Sequence, residues 1–339
     1  MIMIILYHYP IHGELKFIEN WGLPEKIFLE EITMFGKIGV NLFGLISGYL
    51  LVDRSFKIKR LLTLDFQCIF FSWLFLMLVT IWKPDAVGIK DAIMSIAPIV
   101  FNRYWFITAY FVLYLLTPCL NVALMNMSRK NYFCTLLVFA IIWSIIPCLT
   151  YQQIDGMNWS QQTWLIVMYC VGGYFKRFNV KIPKTKMMTI ILVLLLLLSV
   201  VCFEIIGIKI SFFCWNATYF RWSNSIIAFP LSILIFYNIL KWPLGYKPII
   251  NNLASAALSV YLVHENPLVS EQIWRCISKN VRGFTLVFYS IVVVVFIYGI
   301  GIIGHIFYMC TQKIMDKPIN VISEKMENIY KRINIENFD

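Results

Sequence analysis

The chain has 339 residues, of which 60% are apolar and only 14% charged, whereas a soluble domain carries about a quarter charged residues. That balance, with a mean hydropathy of +0.74, excludes an ordinary soluble domain and points to an integral membrane protein. The formal charge of +11 raises the question of nucleic acid, but the basic residues sit in short loops between apolar runs, where membrane topology accounts for them and no nucleic-acid partner is expected.

The first stretch, Met1–Gly13 (MIMIILYHYPIHG), places His8 after a purely apolar run. It is too short to cross a bilayer on its own, since a spanning helix needs about 20 residues. It also lacks the basic start and small-residue cleavage site of a signal peptide, so it is expected to stay with the chain. Further apolar runs follow at 34–52, 63–82, 104–124, 133–150, 161–175, 187–206, 220–240, 253–270 and 284–311. With the first stub counted as a shortened span, the expectation is an all-α, polytopic integral membrane helix bundle of about ten transmembrane helices. Eleven Trp and 18 Tyr suit the aromatic belts of such a protein. The nine cysteines mostly lie within apolar runs and form no CxxC pair, so neither a zinc site nor a disulfide framework is signalled.

Loop charge orients the set. Arg54, Lys57, Lys59 and Arg60, then Arg129 and Lys130, then Lys176 to Lys186, then Lys241 and Lys247, then the tail, hold most of the 29 Lys and Arg. The loop Tyr151–Gln162, from the alternate set, holds none. Positive loops stay inside, so both termini are expected in the cytoplasm of a multi-pass protein of the cell (inner or plasma) membrane. The residues from 313 to 339 read as a charged cytoplasmic tail, and 1–312 as the membrane domain.

Span two, 34–52, is the most patterned. Gly36, Val40, Gly44 and Gly48 recur every fourth residue and form one small-residue ridge, which lets a neighbouring helix approach. Asn41 lies beside the ridge and Ser47 further along. The span runs into Asp53–Arg60 (DRSFKIKR), whose cations suit anionic headgroups of membrane lipids or the phosphates of a nucleotide-bearing ligand. Further on, Asn102–Phe106 (NRYWF) opens a span with Trp105, and Leu192–Leu198 reads as a lipid-facing surface. Glu204 falls near the outer end of its span, where a carboxylate can reach water. Ser259–Asn266 (SVYLVHEN) places His264 and Glu265 together in the outer half of span nine, a second site candidate beside its plainer reading as an interfacial turn. His305 reads as a packing histidine.

An ionisable side chain inside a membrane segment is costly to bury and marks a functional candidate. Neutral histidine is the usual group for taking a proton from a hydroxyl near neutral pH. A buried His8 and a basic loop able to anchor a phosphorylated donor together suit acyl transfer from a coenzyme A thioester to an alcohol, with the oxyanion stabilised by polar side chains or a helix terminus. His8 and His12 are four apart and could pair on a metal, but Pro10 lies between them and no carboxylate is obviously placed to join them, so no metal is expected.

The chain resembles the acyltransferase-3 family of integral membrane O-acyltransferases, which modify bacterial cell-surface glycans. The resemblance rests on ILYHY around His8, GVNLFGLISGYLL (Gly39–Leu51), DRSFKIKR, NRYWFITAYFVLYLLTP (Asn102–Pro118) and LSVYLVHENP (Leu258–Pro267), in that order across nearly the whole chain. It implies a ten-helix fold, an acyl-CoA donor, most simply acetyl-CoA, approached from the cytoplasm, and a glycan or lipid-linked glycan acceptor. It implies a catalytic role for His8 and a donor-side role for Arg54, Lys57 and Arg60, with Asn41, Ser47, Trp105, His264 and Glu265 as substrate-side or supporting residues. It also implies an arginine upstream of the histidine, a position that would precede Met1, so the expectation is either an upstream start or a shortened member. Two other classes stay open on the residues alone. One is a transporter or flippase of a lipid-linked glycan, which predicts paired broken helices in two related halves. The other is a non-catalytic partner in envelope assembly.

Overall fold

The computed structural model describes residues 1–18, 20–150, 161–243 and 245–336. Every regular element among them is helical, as an apolar solvent demands of a chain whose backbone must satisfy its own polar groups. In chain order the main helices are α1 (Ile2–His8), α2 (Leu23–Thr33), α3 (Gly36–Leu51), α4 (Ile58–Trp82), α5 (Trp105–Asn126), α6 (Arg129–Ala140) and α7 (Gln161–Phe178). They continue with α8 (Thr185–Gly207), α9 (Ala228–Leu240), α10 (Pro248–Ser255), α11 (Ala257–His264), α12 (Ser270–Ile277) and α13 (Phe284–Glu336). The Lys- and Arg-free loop lies outside the described residues over 151–160.

The apolar runs all fold as helix, but fewer than ten of the helices are long. Six segments among the described residues are long and apolar enough to cross a membrane: Leu23–Leu51, Ile58–Trp82, Trp105–Asn126, Arg129–Leu149, Thr185–Gly207 and Phe284–Asn328. The run 253–270 breaks into α10, α11 and a turn. The run 220–240 starts as a 3-10 turn and leaves only the 13 residues of α9. Hydropathy counts apolar residues whether or not one helix carries them, which is why the sequence gives the larger number. The helix α13 also runs on through residues 312 and 313, past the end expected for the membrane domain.

The chain divides into two compact units. The first holds Met1–Arg54, Leu116–Tyr246 and Trp274–Val295, the second Ser55–Leu115, Lys247–Ile273 and Phe296–Asp339.

In the first unit α3 is the central helix. Its small-residue ridge serves two neighbours rather than one. Gly44 and Gly48 face α7, where a Cβ on Gly48 would overlap the carbonyl of Tyr169, and a Cβ on Gly172 of α7 would overlap the carbonyl of Leu45. The two helices therefore touch through their backbones, the close approach that small residues permit where lipid gives no hydrophobic drive for association. Gly36 instead faces α1, where Tyr7 occupies the space of its missing side chain, and Gly39 faces Met3 and Ile4. As α3 advances from 36 to 39 its partner retreats from 7 to 3, so α1 runs antiparallel to it. Around these contacts Leu45, Trp164, Met168, Phe175 and Phe236 form one apolar cluster, and Met34, Ile38, Leu196, Val200 and Leu231 another. The leucine run of α8 is split by this packing: Leu194, Leu195 and Leu198 are exposed, whereas Leu196 is fully buried.

Glu204, also on α8, does not reach water. It is 3% exposed, and Lys26 of α2 donates to its two carboxylate oxygens at 2.9 and 3.0 Å. A buried carboxylate requires such a partner, and this one lies 178 residues away in sequence.

In the second unit α4, α11 and the later part of α13 pack closely. A Cβ on Gly301 would overlap Val260, and one on Gly304 would stand 2.9 Å from the Phe71 ring. Gln67 donates to Ser259 Oγ at 2.9 Å, and that oxygen stands 3.1 Å from His305 Nδ1.

Candidate functional site

His8 is the last residue of α1 and is 6% exposed. Immediately after it the chain widens into a π-helical stretch, Tyr9–Glu14. Pro10 lies inside this stretch and has no N–H to donate, so a regular ladder cannot continue through it. The result still stacks residues one turn apart: the His8 and His12 rings lie 5.0 Å apart, centroid to centroid. Trp274, fully buried in the middle of α12, stands 6.4 Å from His8 and 6.3 Å from His12. The segment is locked in place by Glu14, which is 0% exposed. Its Oε1 accepts from the Tyr9 hydroxyl at 2.9 Å and from the Lys279 backbone N–H at 2.8 Å. Tyr9, Glu14 and Trp274 were not foreseen from sequence. An acidic residue six positions after a membrane histidine was the available signal for Glu14.

The α1–α3 contact fixes where His8 stands. Tyr7 meets Gly36, the first residue of α3, so His8 sits at the N-terminal end of that helix. Arg54 lies just past the C-terminal end. The 16 residues of α3 put about 24 Å between them at 1.5 Å per residue. The basic loop and the histidine thus occupy opposite ends of one span.

The turn after α3 is built as a cationic face. Asn121 donates to the carbonyl of Leu51 at 2.8 Å, and the Tyr169 hydroxyl donates to Asn121 at 2.7 Å. Asp53 lies 3.7 Å from both Arg54 and Lys176. That contact places the loop following α7 on the same side as Asp53, the grouping that the charge pattern had required. Arg54 remains exposed. In the second unit Lys57, Lys59 and Arg60 are exposed too, and the Lys57 N–H donates to the Tyr114 hydroxyl at 3.2 Å.

Asn41 is wholly buried and makes three hydrogen bonds. Its amide nitrogen donates to the Ser223 carbonyl at 2.7 Å and to Ser232 Oγ at 3.0 Å, and its oxygen accepts from Trp164 Nε1 at 2.9 Å. It therefore holds the turn before α9 against α3. Ser47 is buried on the same helix, 7% exposed.

In the second unit the NRYWF and SVYLVHENP motifs meet. Asn266 Nδ2 donates to the Tyr104 hydroxyl at 2.7 Å, and Tyr261 packs against Tyr104 and Phe106. Tyr104, rather than the half-buried Trp105, makes that junction. His264 closes α11 and is 0% exposed, with Nδ1 2.5 Å from the Val260 carbonyl. A carbonyl accepts only, so Nδ1 carries a proton. Glu265 follows it, partly exposed.

A family model described as "Acyltransferase domain" matches residues 1–311. No curated protein and no solved structure gives a significant match. An all-helical membrane chain, matched over nearly its whole length, thus belongs to the acyltransferase-3 family of membrane acyltransferases.

Proposed function

We propose that this acyltransferase moves an acyl group, acetyl in the simplest case, from acyl-CoA to a hydroxyl of a cell-surface polysaccharide or lipid-linked glycan. The observation that carries the reading is His8, buried at one end of α3, with exposed cations past the other end. On this reading a neutral His8 nitrogen takes the proton of the acceptor hydroxyl as its oxygen attacks the thioester carbonyl. The tetrahedral oxyanion collapses, the carbon–sulfur bond breaks, and the departing thiolate takes the proton back from the imidazolium. Arg54, Lys57 and Arg60 hold the phosphates of the donor, Arg through paired hydrogen bonds and Lys as a point charge. A donor held there must extend its thioester arm along most of a span to reach His8.

In the second unit, His264 and Glu265 are further polar groups that an acceptor could meet. Asn41, through its hydrogen bonds, and Ser47 support the helix that carries the site, and Trp105 has a supporting role within the second unit. The enzyme sits in the cell membrane with both termini cytoplasmic, so that the donor is met from the side where coenzyme A is made.

The test is acetyl-CoA turnover by purified, detergent-solubilised protein supplied with a glycan acceptor. His8→Ala is expected to lower turnover by about 10²–10⁴-fold, the range for losing a general base, with an unchanged melting temperature. Undiminished acyl transfer by His8→Ala would overturn the catalytic assignment. Glycan movement across proteoliposomes without thioester consumption would overturn the transferase reading altogether.

A further inference from the structure

Beside His8, within the first unit, two cations share two aromatic rings. Lys37 Nζ lies 5.6 Å from the centroid of the Tyr7 ring and 5.9 Å from that of Trp222. The Arg221 guanidinium carbon lies 5.7 and 5.8 Å from the same two centroids. Tyr7 precedes His8 in the chain, and their rings are 5.3 Å apart. Lys37 is 8% exposed, while Tyr7, Arg221 and Trp222 are half-buried.

The arrangement is held by the fold. Lys37 and Asn41 are one turn apart on α3 and share a face. Asn41 grips the Ser223 carbonyl, two residues after Arg221. Asn224 donates to the Trp143 carbonyl at 2.7 Å, and Ser225 accepts from the Ala228 N–H at 3.0 Å. The segment carrying Arg221 and Trp222 is thereby fixed against the helix carrying Lys37. The neighbouring acid is Glu30, which acts electrostatically on Arg221 and lies 3.9 Å from Lys26. Lys26 in turn binds Glu204.

We infer that Lys37 and Arg221, flanked by Tyr7 and Trp222, form a binding site for an anionic group on the acceptor, placing that acceptor's hydroxyl at His8. The inference rests on the transferase reading and narrows its acceptor to a negatively charged glycan. Arg offers a planar fork to a carboxylate or phosphate, and Lys a point charge. The two rings offer apolar faces with polar tips, surfaces suited to a sugar ring. The site stands at the opposite end of α3 from the donor cations, so one molecule cannot occupy both by its charged end. The shared chemistry is an oxyanion, either the carboxylate of an acidic sugar or the diphosphate of a lipid-linked one.

The test titrates the solubilised full chain, by calorimetry, with a glucuronic-acid disaccharide, inorganic pyrophosphate and a neutral glucose disaccharide. Wild type is expected to bind one of the two anions at least about 10-fold more tightly than the neutral sugar, and which anion wins separates the carboxylate source from the diphosphate source. Lys37→Met and Arg221→Met are each expected to weaken that binding by about 10-fold or more, the scale of a lost charge-assisted hydrogen bond. Lys37→Arg should stay within about 3-fold, since it keeps the charge, and it guards against a folding defect in the methionine variant. Equal affinity for neutral and anionic ligands, no anion binding by the folded wild type, or variants that bind as wild type would each overturn the site. Anion binding without acyl transfer in any assay would retire the transferase reading while leaving the site. Transfer to a glycan without anion binding would do the reverse.

Discussion

Asn41 shows how much one buried amide can position. Its three hydrogen bonds join α3 to α7 through Trp164, to α9 through Ser232 and to the preceding turn through Ser223. Replacing it with leucine is expected to orphan those groups at about 1–3 kcal/mol for each that stays dry. The result would appear as a lower melting temperature in detergent; an unchanged one would mean that water replaces the amide. The Lys26–Glu204 pair makes a similar claim with a different sign for its double variant. Glu204→Leu alone takes the closest carboxylate from Lys26, which stays 29% exposed and 3.9 Å from Glu30, and is expected to cost about 1–3 kcal/mol, whereas Lys26→Met with Glu204→Leu should recover part of it, because a buried pair returns little beyond its own desolvation. Equal melting temperatures for the single and double variants would sink that account. The burial of His8 was legible from its position, since a histidine at the end of an apolar run stands out. Glu204 was misplaced because a carboxylate near a span end looks solvated until its partner is known, and that partner belongs to another helix.

At the scale of elements, apolar runs located the longer helices, though not α2 or α12, and could not measure their length. Residue types report whether a stretch is apolar, and both a spanning helix and two short ones meet that requirement. The break at Ser255–Ala257 between α10 and α11 carries neither proline nor glycine, so sequence gave no warning of it. The glycine ridge was legible as a contact surface, yet its division between α1 and α7 depends on which neighbour each turn of α3 meets. Gly48→Val and Gly172→Val are each expected to destabilise by about 1–3 kcal/mol, as overpacking does. Together they should cost other than the sum, because both act on one interface. Gly299→Ala is the contrasting case. A Cβ there meets nothing within 4 Å, so the change should be neutral or stabilising by up to about 1 kcal/mol through helix propensity. Destabilisation by Gly299→Ala comparable to that of Gly48→Val would mean that backbone flexibility, rather than close packing, is what these glycines provide.

For the molecule as a whole, the question is which end of each span faces the proposed donor. The first unit answers for its own helices. Asp53 contacts Lys176, so Arg54 and the basic loop Phe178–Thr185 share a side. The 23 residues of α8 then carry the chain about 34 Å, enough to cross the roughly 30 Å hydrocarbon core, and deliver Lys209 to the other side. The orientation proposed from charge bias puts the first side in the cytoplasm. In a cysteine-free background, Arg54→Cys and Lys184→Cys should therefore react with a membrane-impermeant maleimide only in inside-out vesicles, and Lys209→Cys only in right-side-out ones. All three positions are exposed, so a silent site cannot be blamed on burial. Labelling of positions 54 and 209 from one face would break the topology, and with it the idea that donor and acceptor meet through opposite ends of α3. Labelling in the expected pattern, but with 54 and 184 outside, would keep the helix arrangement and reverse its orientation, placing the donor cations where no cytoplasmic thioester could reach them.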